Sequence, residues 1–360
     1  MNNLRLRQSV GIIAIENQVE FFNSNVREST KIRIDYPEII SLLHMFDGKT
    51  TLNSVNKKYP EINLQQLEKL ISFLIEKHIL IHQDCLYPSE LVTKKYRMIN
   101  FFEDYCHSTS EVIENINRLK NSKVMIIGIG AVGSNIAAYL AQSGVGSMIF
   151  VDSDIVDISN LHRQYFFEKD VGSKKHEALI KNLQHLAPDI QIDAIDDYID
   201  DKFFERNSLP ENIDLVINCA DTPSVDYTSN IISNYCMKNK IPHIVGGGYN
   251  LHQTLIGQTI IPYVTACFNC FKKYLNEINN KDLLNVKKLH REKRKLGSYS
   301  PLSGIAASLA SFDAIKLLSG HTLYLQQTNK RVELNLRTLS LNSQTVPRDP
   351  FCSWCGDKHE

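Results

Sequence analysis

The sequence predicts an α/β protein: a doubly wound, Rossmann-like domain preceded by a small winged helix-turn-helix-like domain. Three observations carry this. An apolar stretch, Lys123 to Ile127, runs straight into the glycine loop GIGAVG. About twenty residues later a second apolar stretch, Met148 to Val151, ends on an acid, Asp152. Strand-like and helix-like stretches then alternate, as they do when helices cover both faces of a parallel sheet.

Taken in order, residues 1–90 form the small domain. VGIIAI and KIRI read as short strands. DYPEIISLLHMFDG reads as a helix with Pro37 in its first turn and Gly48 after its end. TLNSVNKKYP is a second helix, stopped at Pro60. NLQQLEKLISFLIEKH is a third, capped by Asn63, with an apolar stripe of Leu64, Leu67, Leu70, Ile71 and Leu74. ILI closes the domain as a strand. A winged helix invites a DNA reading. The charges of the third helix, Glu68, Lys69, Glu76 and Lys77, cancel, whereas a helix lying against phosphates needs surplus cations. Two readings stay open: a structural appendage, or a receptor for an extended peptide at an exposed strand edge.

Residues 91–120 are a polar, partly helical connector, and the main domain occupies 121–360. Its strands continue through GVGSMIFVD, IQIDAID, DLVINCAD, IPHIVGGGY and HQTLIGQTIIP, with a helix at about 173–186. Residues 271–300 are polar and basic and read as a crossover covering the site, or as a solvated helix or loop. SPLSGIAASLASFDAIKLLSG is a helix rich in small residues, expected to be buried.

Composition excludes several classes. Lys plus Arg equal Asp plus Glu at 40 each, which argues against a general nucleic-acid binder. No run approaches a membrane-spanning length, and the N-terminus lacks a signal-peptide pattern, so the expected location is the cytoplasm. Of the 8 cysteines, four fall in two C-x-x-C pairs, Cys267/Cys270 and Cys352/Cys355. In a reducing compartment two such pairs predict one tetrahedral Zn²⁺ site. Nothing around them resembles a redox thioredoxin unit. The other four are scattered and read as small buried hydrophobes.

The glycines at 128, 130 and 133 let backbone N–H groups approach a phosphate at a helix N-terminus. That alone says nucleotide. Asp152 stands where an acid takes ribose hydroxyls, as in an NAD enzyme. The residues after it exceed what NAD needs. Asp154 lies near the carboxyl end of the sheet, or caps a helix. Asn160, Arg163 and Gln164 offer neutral amides and a fixed cation suited to a phosphate chain. Lys174 and Lys175 start a helix, and one of them can reach a phosphate. Asp221 ends another strand, placed to hold Mg²⁺ beside a triphosphate. Cations plus a metal suit a triphosphate that must release pyrophosphate, rather than hydride transfer.

GIGAVG, VDSDIVDISNLHRQ, DVGSKKHEA, NCADT and the two cysteine pairs together resemble the E1-like adenylating family of the ThiF and MoeB type, over roughly residues 95–360. The resemblance implies an ATP-dependent enzyme in which a carboxylate attacks the α-phosphate to give an acyl adenylate. By position it implies that Asp152 binds ribose, that Asn160, Arg163 and Lys175 contact phosphates, and that Asp221 holds Mg²⁺. The family also places an Arg from the second subunit of a homodimer in the site, and Arg97 in KYRMINFF is the nearest candidate here. The long segment before the glycine loop departs from ThiF and MoeB. It is similar to the branch with MccB and PaaA that matures ribosomally made peptide antibiotics. That branch implies a precursor-peptide partner on the N-terminal domain and chemistry of the microcin C7 or pantocin kind. No rhodanese-like or ubiquitin-like region follows the second cysteine pair, so sulfur relay within this chain is not expected. A sulfur-carrier adenylyltransferase with an added domain is the alternative.

Overall fold

A computed structural model describes residues 3–34, 36–245, 248–250, 253–282 and 297–357. The chain divides into two compact units, Met1–Asn117 and Arg118–Glu360.

The first unit opens with strands β1 (Asn3–Leu6), β2 (Val10–Ile15), β3 (Gln18–Asn23) and β4 (Glu28–Arg33). Helices α1 (Ile39–His44), α2 (Leu52–Lys58) and α3 (Leu64–Glu76) follow, then β5 (Leu80–Gln83), α4 (Ser89–Glu103) and α5 (Thr109–Asn121). Strands β2, β3 and β4 form an antiparallel sheet in that order, and β1 pairs antiparallel with β5. The strand period of two is visible in β3, where Val19 and Phe21 are buried and join Val10, Ile12 and Ile32 in the core. The helices begin where the sequence offers capping oxygens. Thr51 Oγ1 accepts from Ser54 N–H at 3.2 Å, and Asn63 Oδ1 accepts from Gln65 N–H at 2.9 Å. On α3 the expected stripe holds at Leu67, Ile71 and Leu74, while Leu64, the first helical residue, is exposed. The stretch read as a connector is largely helical. It consists of α4, bent at Lys95 (φ −136°, ψ 26°), and α5, within which the division between the units falls.

The second unit contains β6 (Lys123–Ile127), α6 (Gly133–Ser143), β7 (Ser147–Val151), α7 (Lys175–Leu186), β8 (Gln191–Ile195), α8 (Phe203–Arg206), β9 (Leu215–Asn218), α9 (Val225–Lys238) and β10 (His243–Val245). After these come β11 (Gly248–Asn250), β12 (Gln253–Ile256), β13 (Thr259–Ile260), α10 (Phe268–Asp282), α11 (Ser300–Leu318), β14 (Lys330–Asn335) and β15 (Ser340–Thr345). The main sheet has the order β13-β10-β9-β6-β7-β8. It is parallel except at the β13 edge. β6 and β7 are almost wholly apolar and buried, as strands covered on both faces must be. The strand order reverses between β6 and β9, which opens a crevice at their carboxyl ends. A second, antiparallel sheet runs β11-β12-β14-β15.

Two differences from the sequence reading stand out. HQTLIGQTIIP is not one strand. It breaks at Gly257 and Gln258 into β12 and β13, which belong to different sheets. And α11, 19 residues long with mean hydropathy 1.2, is long and apolar enough by composition to cross a membrane, which corrects the expectation that no run comes near. Half of it is buried within the chain, and buried Asp313 in its second half accepts hydrogen bonds from Thr259 Oγ1 (2.8 Å) and Gln327 N–H (3.0 Å). That is the environment of a core helix. Of the expected crossover, residues 271–282 continue α10, and residues 283–296, with the basic stretch Lys287 to Lys295, lie outside the described residues.

Candidate active site

The site sits at the carboxyl end of the main sheet, where the glycine loop leaves β6. Gly128 has φ +80°, and a Cβ there would lie 2.7 Å from Ala220 N and 2.8 Å from its Cα. Only glycine lets this turn pass so close to the end of β9. A Cβ on Gly133 would lie 2.0 Å from Gly128 O, so that glycine lets α6 close down on the loop. Gly130 differs. The nearest atom to a Cβ there is Gln164 Nε2 at 3.9 Å, which leaves its backbone open to a ligand. The first turn of α6 has no side-chain cap. Its N–H groups and the helix dipole together favour an anion.

Asp152, at the end of β7, ties two loops together. Its Oδ2 accepts from Ile129 N–H at 2.9 Å and its Oδ1 from Asp154 N–H at 2.9 Å. Burial raises its carboxyl above the ordinary carboxylate range, against the pull of Lys175. His176 supports it from α7, its Nδ1 lying 3.2 Å from Asp152 O.

Between β7 and α7 the chain makes a long excursion and returns beside its start. Val156 N–H donates to Ser173 O and Lys175 N–H to Asp154 O, both at 2.9 Å. Within the excursion the first of two 3-10 turns, Ile158–Asn160, is capped by Asp157. Asp157 Oδ1 accepts from Ser159 N–H (2.8 Å), and Asn160 Oδ1 accepts from Asp157 N–H (3.1 Å). With its oxygen so used, Asn160 presents its NH₂ group, a donor suited to phosphate oxygen. Arg163 anchors Nη1 on Ser159 O at 2.9 Å, and its Nε and Nη2 make no hydrogen bond among the described residues. Gln164 Oε1 is buried without a hydrogen-bond partner. The excursion is clamped from outside, where Ser134 Oγ accepts from Tyr165 N–H (3.0 Å), Ser303 Oγ donates to Arg163 O (3.2 Å) and Asn182 Nδ2 donates to buried Asp170 (2.7 Å), and from within, where Asp170 accepts from Phe167 N–H (2.9 Å).

The two lysines separate by role. Lys175 is almost fully buried, and its Nζ lies 2.6 Å from Asp154 Oδ2, which is open to solvent. Lys174 turns away to Ser153 O and Asp196 Oδ1, each at 3.2 Å. Asp154 is therefore an ion-pair partner and not a helix cap. Across the crevice Asp221 is exposed just past β9. Asn218 holds the loop that carries it, its Oδ1 accepting from Ala220 N–H (3.1 Å) and its Nδ2 donating to Ser229 Oγ (3.0 Å). Burial and the nearby Asp221 carboxylate push the Cys219 thiol up to about 12, so it stays neutral. Thus Gly128, Gly130, Gly133, Asp152, Asp154, Asn160, Arg163, Gln164, Lys175 and Asp221 all stand on loops leaving β6, β7 and β9 or at the starts of α6 and α7. Arg97 stands exposed on α4 of the other unit.

Sequence reasoning missed Asp157, Ser134, Asp170 and Asn182, which position others. Asp157 had a signal, an acid three residues before Asn160 at a cap. The Asp170–Asn182 contact had none.

The four cysteines of the two C-x-x-C pairs converge. All are buried, with Sγ–Sγ distances of 3.8 Å (Cys267–Cys270), 3.6 Å (Cys267–Cys352) and 3.5 Å (Cys270–Cys355). A tetrahedron with Zn–S of about 2.3 Å has edges of about 3.8 Å, so the cluster fits that ion. Hydrogen bonds from Cys267 and Cys355 pull the Cys270 thiol down.

A family model described as the ThiF family matches residues 108–354. The molybdopterin-synthase adenylyltransferase of Escherichia coli strain K12 is 30% identical over 241 residues, covering 66% of this chain and 88% of that protein. Among solved structures, E. coli MccB with succinimide has a TM-score of 0.81 at 24% identity, covering 99% of this chain and 100% of that one. MccB has also been solved with ATP, with AMPCPP and MccA, and, described as the microcin C7 biosynthetic enzyme, with N-formylated MccA. PaaA has a TM-score of 0.70 at 20% identity, covering 95% of this chain and 100% of that one.

Proposed function

The chain belongs to the ThiF family and is an adenylyltransferase-type enzyme, and from that premise we propose that it uses ATP to activate a carboxylate on a ribosomally made precursor peptide. The observation that carries the peptide reading is the extent of the likeness to MccB. The family model begins at residue 108, while the MccB fold covers 99% of the chain and so takes in the first unit as well. In this reading the first unit captures the leader of the peptide, and the product belongs to antibiotic biosynthesis of the microcin C7 or pantocin kind.

The residues divide the work as their surroundings suggest. Asp152, fixed by two backbone N–H groups, would hold the ribose. The backbone over Gly130 and the start of α6 would receive the phosphates, with the Asn160 NH₂, the free edge of Arg163, the Gln164 amide and Lys175 around them. A carboxylate is already a nucleophile at neutral pH, so no residue needs to act as a base. Its oxygen attacks the α-phosphorus, a new P–O bond forms, and the α–β bridging bond breaks to release pyrophosphate. Lys175 and Arg163 would stabilise the charge that develops on the departing group. Mg²⁺ when bound neutralises triphosphate charge, and Asp221, an exposed carboxylate, would hold it among waters. Catalysis is then positioning and electrostatics. We further propose a homodimer in which Arg97 serves the site of the partner subunit, a structural Zn²⁺ on Cys267, Cys270, Cys352 and Cys355, and a cytoplasmic setting that keeps those thiols reduced.

The 30% identity to the molybdopterin-synthase adenylyltransferase favours a second reading, a sulfur-carrier adenylyltransferase with an added domain. The nucleotide chemistry common to both is tested by substrate-dependent exchange of pyrophosphate into ATP. Arg163→Ala and Asp221→Ala should each lower the rate by about 10²–10³ with unchanged thermal stability. Wild-type exchange in both variants would refute the assignment.

A further inference from the structure

Strand order fixes where the base of a bound nucleotide must fall. β6, β7 and β8 lie side by side and parallel. On the proposed ATP reading, on which this inference rests, the phosphates lie over the loop after β6 and the ribose at Asp152 after β7. Neighbouring strands are about 4.8 Å apart, so a nucleotide laid across the carboxyl end of the sheet reaches β8 with its base. Charge sets the same direction. Lys175 and Arg163 stand on the phosphate side, whereas beside the loop leaving β8 Lys174 is already taken by Asp196 and Arg206 by Asp197 and Asp200, so neither is left for a phosphate chain.

That loop is built onto the end of β7. Ile195 O accepts from Asp152 N–H (3.3 Å) and from Asp197 N–H (3.0 Å). Tyr198 follows, and it is 63% exposed, a large aromatic left in water. It is not loose. Arg206 lies 5.3 Å from the ring centroid. The same guanidinium is forked onto Asp197 at 2.8 and 3.0 Å, onto Asp200 at 2.6 Å, and onto Tyr198 O at 3.1 Å. Asn207 Nδ2 adds a bond to Asp197 Oδ2 at 2.7 Å. The acids of this loop thus fix a cation against one side of an aromatic ring, and the exposure leaves ring surface for another flat group.

We propose that Tyr198 is the platform on which the base of the nucleotide stacks, so that it is a specificity-determining residue favouring a purine nucleoside triphosphate. A purine overlaps a phenol ring more fully than a pyrimidine does, and stacking reads ring area rather than hydrogen-bond pattern. The Arg206 fork gives the ring one orientation before the ligand arrives, which lowers the entropy cost of binding.

The test uses the full chain with Mg²⁺ and calorimetric titration of ATP, CTP and inorganic tripolyphosphate into wild type, Tyr198→Ala and Tyr198→Phe. The side chain is exposed, so all three proteins should melt alike. Tyr198→Ala should bind ATP roughly tenfold or more weakly, lose much of the preference for ATP over CTP, and bind tripolyphosphate as wild type does. Tyr198→Phe should keep the preference. Unchanged ATP affinity or an unchanged ATP-to-CTP ratio in Tyr198→Ala would overturn the platform and leave the ATP reading standing. So would an equal loss of ATP and tripolyphosphate binding. Wild type that binds neither nucleotide would overturn the ATP reading and the platform with it.

Discussion

Replacing Gly128, Gly130 and Gly133 one at a time by alanine separates packing from ligand access within a single loop. At Gly128 the new methyl group meets backbone, Ala220 N at 2.7 Å and Cys219 C at 2.8 Å, and the residue must keep φ +80°. Left-handed strain costs about 1–2 kcal/mol. Overpacking against atoms that cannot rotate away costs about 1–3 kcal/mol. Together these give about 2–5 kcal/mol, and at about 2–4 °C per kcal/mol for a domain of this size the melting point should fall by roughly 4–20 °C. At Gly133 the overlap with Gly128 O, at 2.0 Å, is worse, and the loss should be at least as large. At Gly130 the nearest atom is 3.9 Å away. Its stability should change by no more than about 0.5 kcal/mol. Its methyl group would occupy the space through which the phosphates approach, so ATP should bind at least about tenfold more weakly. Thermal unfolding with and without Mg-ATP, together with calorimetry, reads both quantities. A Gly130→Ala protein that melts and binds ATP as wild type does would refute the placement of the phosphates. Gly128→Ala and Gly133→Ala proteins that melt like wild type would refute the packing.

Three other expectations are independent of this one. Purified protein should carry about one Zn²⁺ per chain. The metal closes a loop of 85 residues between Cys267 and Cys352, at a closure cost of about 4–5 kcal/mol against about 10–16 kcal/mol of binding, so Cys355→Ser should lose both the metal and thermal stability. Metal-free protein of full stability would contradict this. The Arg206 side chain holds the Asp197 carboxyl down to about 2, so its stabilisation is fully present above the ordinary carboxylate pKa and is lost as pH falls through about 2. Unfolding measured from pH 5 down to pH 2.5 should therefore lose stability less steeply in Arg206→Gln than in wild type, and identical slopes would refute the linkage. Mixed dimers of Arg97→Ala and Asp221→Ala chains should regain activity that neither variant has alone, and mixtures that stay inactive would remove the shared site.

The sequence carried the main sheet because its signals are local. β6 matched its expected bounds because an apolar run ending at a glycine loop has few other solutions. The candidate site residues could be picked out for the same reason, because they stand on loops at strand ends and at helix starts, where their types and order are readable. What stayed hidden depends on pairing across distance. β1 is four residues long and becomes a strand only through β5, nearly eighty residues later. The β14–β15 hairpin is polar and largely exposed, with little apolar alternation to announce it. Gly257 and Gln258 break a run that alternates well because its two halves pair in different sheets. The partition of Lys174 and Lys175 was also beyond the sequence. Lys174 is the non-helical residue before α7 and Lys175 its first helical residue, and only the fold decides which one is buried beside Asp154.

The most direct test of the account is ATP–pyrophosphate exchange by the full chain, with a short ribosomal peptide from the same gene neighbourhood as one substrate and a ubiquitin-like sulfur carrier as the other. The account predicts exchange with the peptide at low micromolar concentration, inhibited by an excess of its isolated leader, and none with the carrier. Exchange with the carrier alone would contradict it and establish the sulfur-carrier reading.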